Sequence, residues 1–272
     1  MRIFSLYRDF FVFLNKVTSR SERWGAYRRY YYHPHRKFLE SLFSHFPLIN
    51  SSSLKQRVEA IKKAHYGRLK NLISFCPPEK IIEESYRDCL RIISPVKEPD
   101  FYLFIGFFSP EGFVMDYLGE PVICFGLERF KDFSLFRILV AHEYAHFLLN
   151  LGRGAVADGE SARWLLISEG LATYFSSLVF PGRKLSDHFL FSRDKLNWCQ
   201  ENERLLRDIY CSTRFSSEEL VDFYFKGNPE LNLPPRAAKY LGFTAVKRYL
   251  ALQEKDIGLL FSDKEIALSL KL

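Results

Sequence analysis

From Phe136 to Leu149 the chain is apolar except at Arg137 and at His142, Glu143 and His146. A run of this length and hydrophobicity predicts a buried helix, here Ser134 to Asn150 closed by Gly152, and a buried helix tolerates polar side chains only where they find partners. Residues four apart lie on one side of a helix, so His142 and His146 direct ring nitrogens toward one point, where both can bind a tetrahedral zinc ion. Glu143 stands beside them. It is placed to accept a proton from a metal-activated water and to return it to a leaving amine.

A third protein ligand must come from elsewhere. A histidine six residues beyond His146 would complete a three-histidine site, but Gly152 occupies that position. Two carboxylates remain, Asp158 and Glu169. Glu169 lies in the stretch Trp164 to Phe175, whose apolar majority must be buried, and an isolated carboxylate there is costly unless it is paired or bound to metal. That favours Glu169, with Asp158 as the alternative. The 22 residues between His146 and Glu169 leave room for a loop and an antiparallel return.

The rest of the chain frames this pair of helices. Two helices are predicted between Ile3 and Phe46, joined near His33-Pro34, then one from Leu54 to Phe75 and one from Glu79 to Ile93. Three short aromatic and β-branched runs, Phe101 to Phe108, Gly112 to Leu118 and Pro121 to Leu127, predict a small antiparallel sheet. After the metal helix come Ala162 to Phe180, Ser192 to Tyr210, Ser216 to Phe225 and Ala237 to Gln253. The order helices, sheet, helices predicts an α+β fold, with an N-terminal basic helical region over residues 1–94 packed on a catalytic part over residues 95–272.

Charge is uneven. Of the net +7, the excess sits in residues 1–80, with 16 Lys/Arg against 5 Asp/Glu. Tyr27-Arg28-Arg29-Tyr30-Tyr31-Tyr32 has the composition of a contact with a nucleic-acid backbone or an anionic membrane. The leading expectation is instead a solvated helical face with its tyrosines turned inward. The five cysteines, Cys76, Cys89, Cys124, Cys199 and Cys211, show no paired spacing, which suits a reducing compartment. No cleavable signal and no apolar run of about 20 residues is present, so a cytoplasmic, non-membrane chain is expected. His33, His35, His45, His65 and His188 read as structural or surface residues.

His142-Glu143-Tyr144-Ala145-His146 followed by Ser168-Glu169-Gly170-Leu171-Ala172-Thr173-Tyr174-Phe175 resembles the gluzincin pattern of aminopeptidase-type and thermolysin-like enzymes. More closely, it is similar to a bacterial family of zinc-dependent proteases catalogued as a domain of unknown function, in which HEYxH is followed by SEGLA. Flanking segments, Phe104-Ile105-Gly106 through Ile123 to Glu128 and Ala238 to Val246, extend the resemblance over about residues 100 to 252.

The resemblance implies a zincin-like catalytic domain, zinc ligands His142, His146 and Glu169, and Glu143 as general base acting on a peptide or protein substrate. It also makes Tyr240 a candidate hydroxyl donor to the oxyanion of a tetrahedral intermediate, although Ala238 and Lys239 depart from the glycine and aromatics usual before it. Thermolysin-like enzymes carry an aspartate four residues after the ligand glutamate, where this chain has Thr173. By analogy, Pro121 to Leu127 would be an edge strand that pairs with an extended substrate. Two other readings are a non-proteolytic binding protein acting through the basic N-terminal helices and a zinc hydrolase of a non-peptide amide.

Overall fold

The computed structural model describes residues 1–17, 19–46, 51–107, 109–151, 162–211, 216–253, 257–262 and 270–272. The fold is α+β and divides into two compact units, Met1–Glu84 with Val96–Arg137 and Ser85–Pro95 with Ile138–Leu272. Among the described residues no helix is long and apolar enough to cross a membrane.

The first unit opens with β1 (Arg2–Ser5) and continues through α1 (Tyr7–Lys16), α2 (Arg23–Tyr27), a π-helical turn at Arg28–Tyr32, α3 (Arg36–His45), α4 (Ser51–Ala60), α5 (Gly67–Phe75) and the start of α6 (Pro78–Leu90). It then adds β2 (Asp100–Phe104), β3 (Gly112–Tyr117) and β4 (Glu120–Gly126). The strand order is β1-β2-β4-β3.

This sheet is mixed, which corrects the antiparallel expectation. β1 and β2 are parallel, β2 and β4 are parallel, and only β3 and β4 form an antiparallel hairpin. The hairpin turns on Leu118 and Gly119, both at positive φ (59° and 81°), a backbone twist that matches that of the flanking strands. Because β3 loops to the outer side, β2 ends up beside β4 and runs in the same direction. β4 is therefore internal, with neighbours on both sides, and is not the edge expected for Pro121 to Leu127.

β1 lies where helical spacing had been expected from Ile3. Its partner is about 98 positions away, with Arg2 opposite Asp100 and ion-paired to it, so no local periodicity reveals it. Phe4 stacks on Tyr102 at 4.7 Å, and Tyr102 stacks on Phe38 at 4.3 Å. The single helix expected over Leu54 to Phe75 is broken by a 3-10 turn at Lys63–Tyr66, from which Tyr66 packs edge-on against Phe10 at 4.9 Å.

Tyr27 and Tyr31 are fully buried while Arg28 and Arg29 are exposed. The Tyr31 hydroxyl donates to the Ile105 carbonyl and accepts from the Ile105 N–H, both at 3.0 Å, which ties the π-helical turn to the chain just after β2. Nearby, the Gly106 and Phe107 N–H groups donate to Glu128 Oε1 at 2.9 and 2.5 Å, and Glu128 Oε2 is buried without a partner among the described residues.

Burial pushes the Glu128 carboxyl up to about 7, with the two N–H donors only partly opposing it. A carboxyl whose folded pKa is raised binds its proton more tightly in the folded state. Its stabilising contribution is complete below about 4.5 and is lost as pH rises through 7. Glu128→Gln keeps an acceptor for both N–H groups and removes the charge. The variant should match the parent near pH 5 and exceed it by on the order of 2 kcal/mol at pH 8 in urea unfolding. A difference that does not grow with pH would refute this.

The second unit holds the rest of α6 and most of α7 (Phe136–Leu151), then α8 (Ala162–Val179), α9 (Leu185–Phe189), α10 (Arg193–Glu201), α11 (Glu203–Tyr210), α12 (Ser217–Lys226), α13 (Lys239–Gln253) and α14 (Gly258–Ser262). The expected Ser192 to Tyr210 helix is interrupted at Asn202. α12 starts with a capping box, Ser216 Oγ accepting from the Glu219 N–H at 3.2 Å and Glu219 Oε2 accepting from the Ser216 N–H at 2.8 Å.

Candidate metal centre

α7 is apolar around its whole circumference, and such a helix packs on every side. His142 and Glu143 are buried on it at 3% and 5% exposure. The two histidine Nε2 atoms approach to 3.2 Å. From α8, Glu169 divides its oxygens between them, Oε2 lying 3.4 Å from His142 Nε2 and Oε1 3.5 Å from His146 Nε2. Asp158 lies outside the described residues.

These separations test whether the residues suit zinc. Bonds of roughly 2.0–2.1 Å at tetrahedral angles set neighbouring donors ~3.4 Å apart, and the three measured gaps bracket that value. The donor set, two imidazoles and one carboxylate, is also one that zinc takes. Among the described residues this is the group of His, Cys, Asp and Glu side chains close enough to hold a metal ion.

A backbone contact brings α13 onto this centre. A Cβ on Gly242 would stand 1.8 Å from the Leu166 carbonyl oxygen, and one on Gly170 would stand 2.1 Å from the Gly242 carbonyl carbon. Only glycine at both positions lets α8 and α13 touch backbone to backbone. Glu169 adjoins this crossing on α8, and Lys239 precedes it by three residues on α13. Lys239, 4% exposed, puts Nζ 3.2 Å from Glu169 Oε2 and 3.4 Å from His142 Nε2.

Electrostatics follow from this crowding. Burial, reinforced by the Lys239 charge, lowers His142 to about 3 and so favours the neutral, ligating form. Burial also acts to lower His146, but the Glu169 hydrogen bond and charge outweigh it and raise that group. Burial would raise Glu169, yet Lys239 and the two histidines hold it well below the usual carboxylate range. Glu143 is pushed up to about 7, first by burial, with the Glu169 charge adding to it.

The remaining candidates fall differently. Burial and the Glu203 charge raise the Tyr240 hydroxyl, and its ring lies 6.0 Å from Phe189. A second phenol, Tyr224 of α12, is 2% exposed, and burial together with the Glu169 charge raises its hydroxyl. Thr173 Oγ1 donates to the Glu169 backbone carbonyl at 2.8 Å, so it orients its own helix, and among the described residues His142 Nδ1 has no hydrogen-bond partner. Tyr144, between the histidines, donates to the Ile93 carbonyl at 2.8 Å and packs edge-on to Tyr86 at 5.6 Å.

His188 is buried with Nδ1 3.1 Å from Ser176 Oγ, and His35 pairs with Asp9 at 2.8 Å. All five cysteines are free thiols, Cys89, Cys124 and Cys199 being buried.

Lys239 carried a readable signal, a lone cation in the apolar run Ala237 to Phe243, which is the same reasoning that singled out Glu169. Tyr224 carried none.

The profile of the family described as Predicted Zn-dependent protease (DUF2268) matches residues 114–266, more than half of the chain. The chain belongs to this family. The match takes in α7, α8, α12 and α13, and with them every side chain that converges on the centre. No curated protein and no solved structure gave a match.

Proposed function

We propose that the chain is a zinc-dependent peptidase of the gluzincin type, with His142, His146 and Glu169 as zinc ligands and Glu143 as general base. The observation that carries this reading is the convergence of two imidazoles and a carboxylate at donor spacing, with a second carboxylate buried one residue from the first ligand. Zinc at these ligands supplies a Lewis acid that polarises a carbonyl oxygen and acidifies water.

Glu143 takes the proton of the attacking water and passes it to the departing nitrogen. A carboxyl raised to about 7 suits both transfers near neutral pH. Tyr224, whose hydroxyl feels the Glu169 charge, is placed to support that ligand from outside. Tyr240, whose hydroxyl feels the Glu203 charge, takes no part in these two transfers.

Metal analysis of the purified chain tests the reading. One zinc per chain is expected, and Glu169→Ala should weaken zinc binding by at least about 100-fold. Full zinc retention in that variant would remove Glu169 from the ligand set.

A further inference from the structure

Lys239 is the charged group of the centre that the proposed reaction leaves unused. It is the first residue of α13, where the positive end of the helix disfavours a cation, so its own helix does not account for it. A buried ammonium needs a counter-charge, and it finds Glu169 Oε2 at 3.2 Å and the His142 ring at 3.4 Å. These distances fall among those separating the ligand atoms themselves, 3.2 to 3.5 Å. The ammonium therefore stands as a further corner of the donor cluster, held there by the glycine crossing of α8 and α13.

Without a metal, Glu169 would be a half-buried anion, 21% exposed, facing two imidazoles, and Lys239 supplies the positive charge that makes this tolerable. A divalent metal needs the same oxygen and brings two charges into the ammonium's immediate surroundings. Resting on the zinc reading above, we propose that Lys239 is a positioning residue and a built-in competitor of the metal. It holds Glu169 in the ligand position in the metal-free protein and yields that carboxylate as zinc binds. The centre is thereby one that exchanges its metal.

The test measures zinc affinity of the full chain by competition with a chromophoric chelator, beside thermal unfolding with and without zinc. Lys239→Met removes charge and hydrogen bond. Lys239→Gln removes only the charge and serves if the first variant does not fold. Lys239→Arg keeps the charge. Both neutral variants should bind zinc at least about tenfold more tightly than the parent, with a lower melting temperature when metal-free, and the arginine variant should stay within about threefold.

Cobalt substitution separates competition for Glu169 from direct ligation by Nζ. The visible spectrum should be the same in parent and Lys239→Gln. Equal or weaker zinc binding by the neutral variants, or a changed cobalt spectrum that makes Nζ a ligand, would overturn the proposal. A parent chain that takes up no zinc would instead overturn the metal centre, and this inference with it.

Discussion

Glu143→Gln is expected to leave zinc stoichiometric while lowering peptide hydrolysis by about three orders of magnitude. The amide has the shape of the carboxylate and the ligands are other residues, so His142, His146 and Glu169 keep their places. What is lost is the base. The substituted side chain cannot accept the proton of the attacking water, and it cannot carry one to the departing nitrogen. Because Glu143 is buried beside the ligands at 5% exposure, bulk solvent is poorly placed to replace it. A panel of internally quenched peptides, read alongside zinc content, checks this. Equal cleavage by variant and parent would remove Glu143 from the mechanism, and lost zinc in the variant would make it a structural support.

The second large effect concerns the helix crossing. Gly242→Ala should destabilise the chain by about 3 kcal/mol or more and weaken zinc binding with it. The added methyl would meet the Leu166 carbonyl at 1.8 Å, and that obstacle is backbone, which no rotamer change relieves. α8 and α13 must move apart, and Glu169 moves with α8. Alanine's better helix propensity recovers only about 1 kcal/mol. Gly25 in α2 is the matched control, since a Cβ there meets nothing within 4 Å and Gly25→Ala should be neutral or slightly stabilising. Denaturant unfolding of both variants decides it, and a Gly242→Ala protein as stable as the control would mean that the crossing is looser than described.

Much of the candidate site was legible because it is local. His142, Glu143 and His146 share one helical turn, and Glu169 betrays itself as a charge in an apolar helix. The same logic reaches Lys239. It fails for Tyr224, whose approach to Glu169 depends on how α12 packs against α8 and leaves no mark on its own neighbours in the chain. Tyr240 illustrates the converse. The resemblance suggested it as an oxyanion donor, but consecutive helical residues point about 100° apart, and the turn that brings Lys239 to Glu169 sends Tyr240 to a different side of α13.

The fold shows the same division. α6, α7, α8, α12 and α13 lie within a few residues of their expected ends, while the helices expected over Leu54 to Phe75 and Ser192 to Tyr210 are each broken in two, and α+β follows from the order. Sheet topology was not legible, because β1 pairs with residues nearly 100 positions away and nothing in Arg2 to Ser5 distinguishes a short parallel edge from the start of a helix. The hairpin was readable, since Leu118-Gly119 lies between its two strands. Which strand would lie on the other side of β4 was not.

The hydroxyl of Tyr144, donated to Ile93, bears on how this protein can be taken apart. The residues that match the family begin at 114, yet α7 leans on a backbone carbonyl that the chain lays down before β2. A boundary drawn along the chain and one drawn in space therefore do not coincide. Cutting at the first would strand a buried donor, at about 1–3 kcal/mol, in the middle of the histidine pair. The centre is not a portable cassette, and grafting it elsewhere means carrying Ser85 to Pro95 along with it.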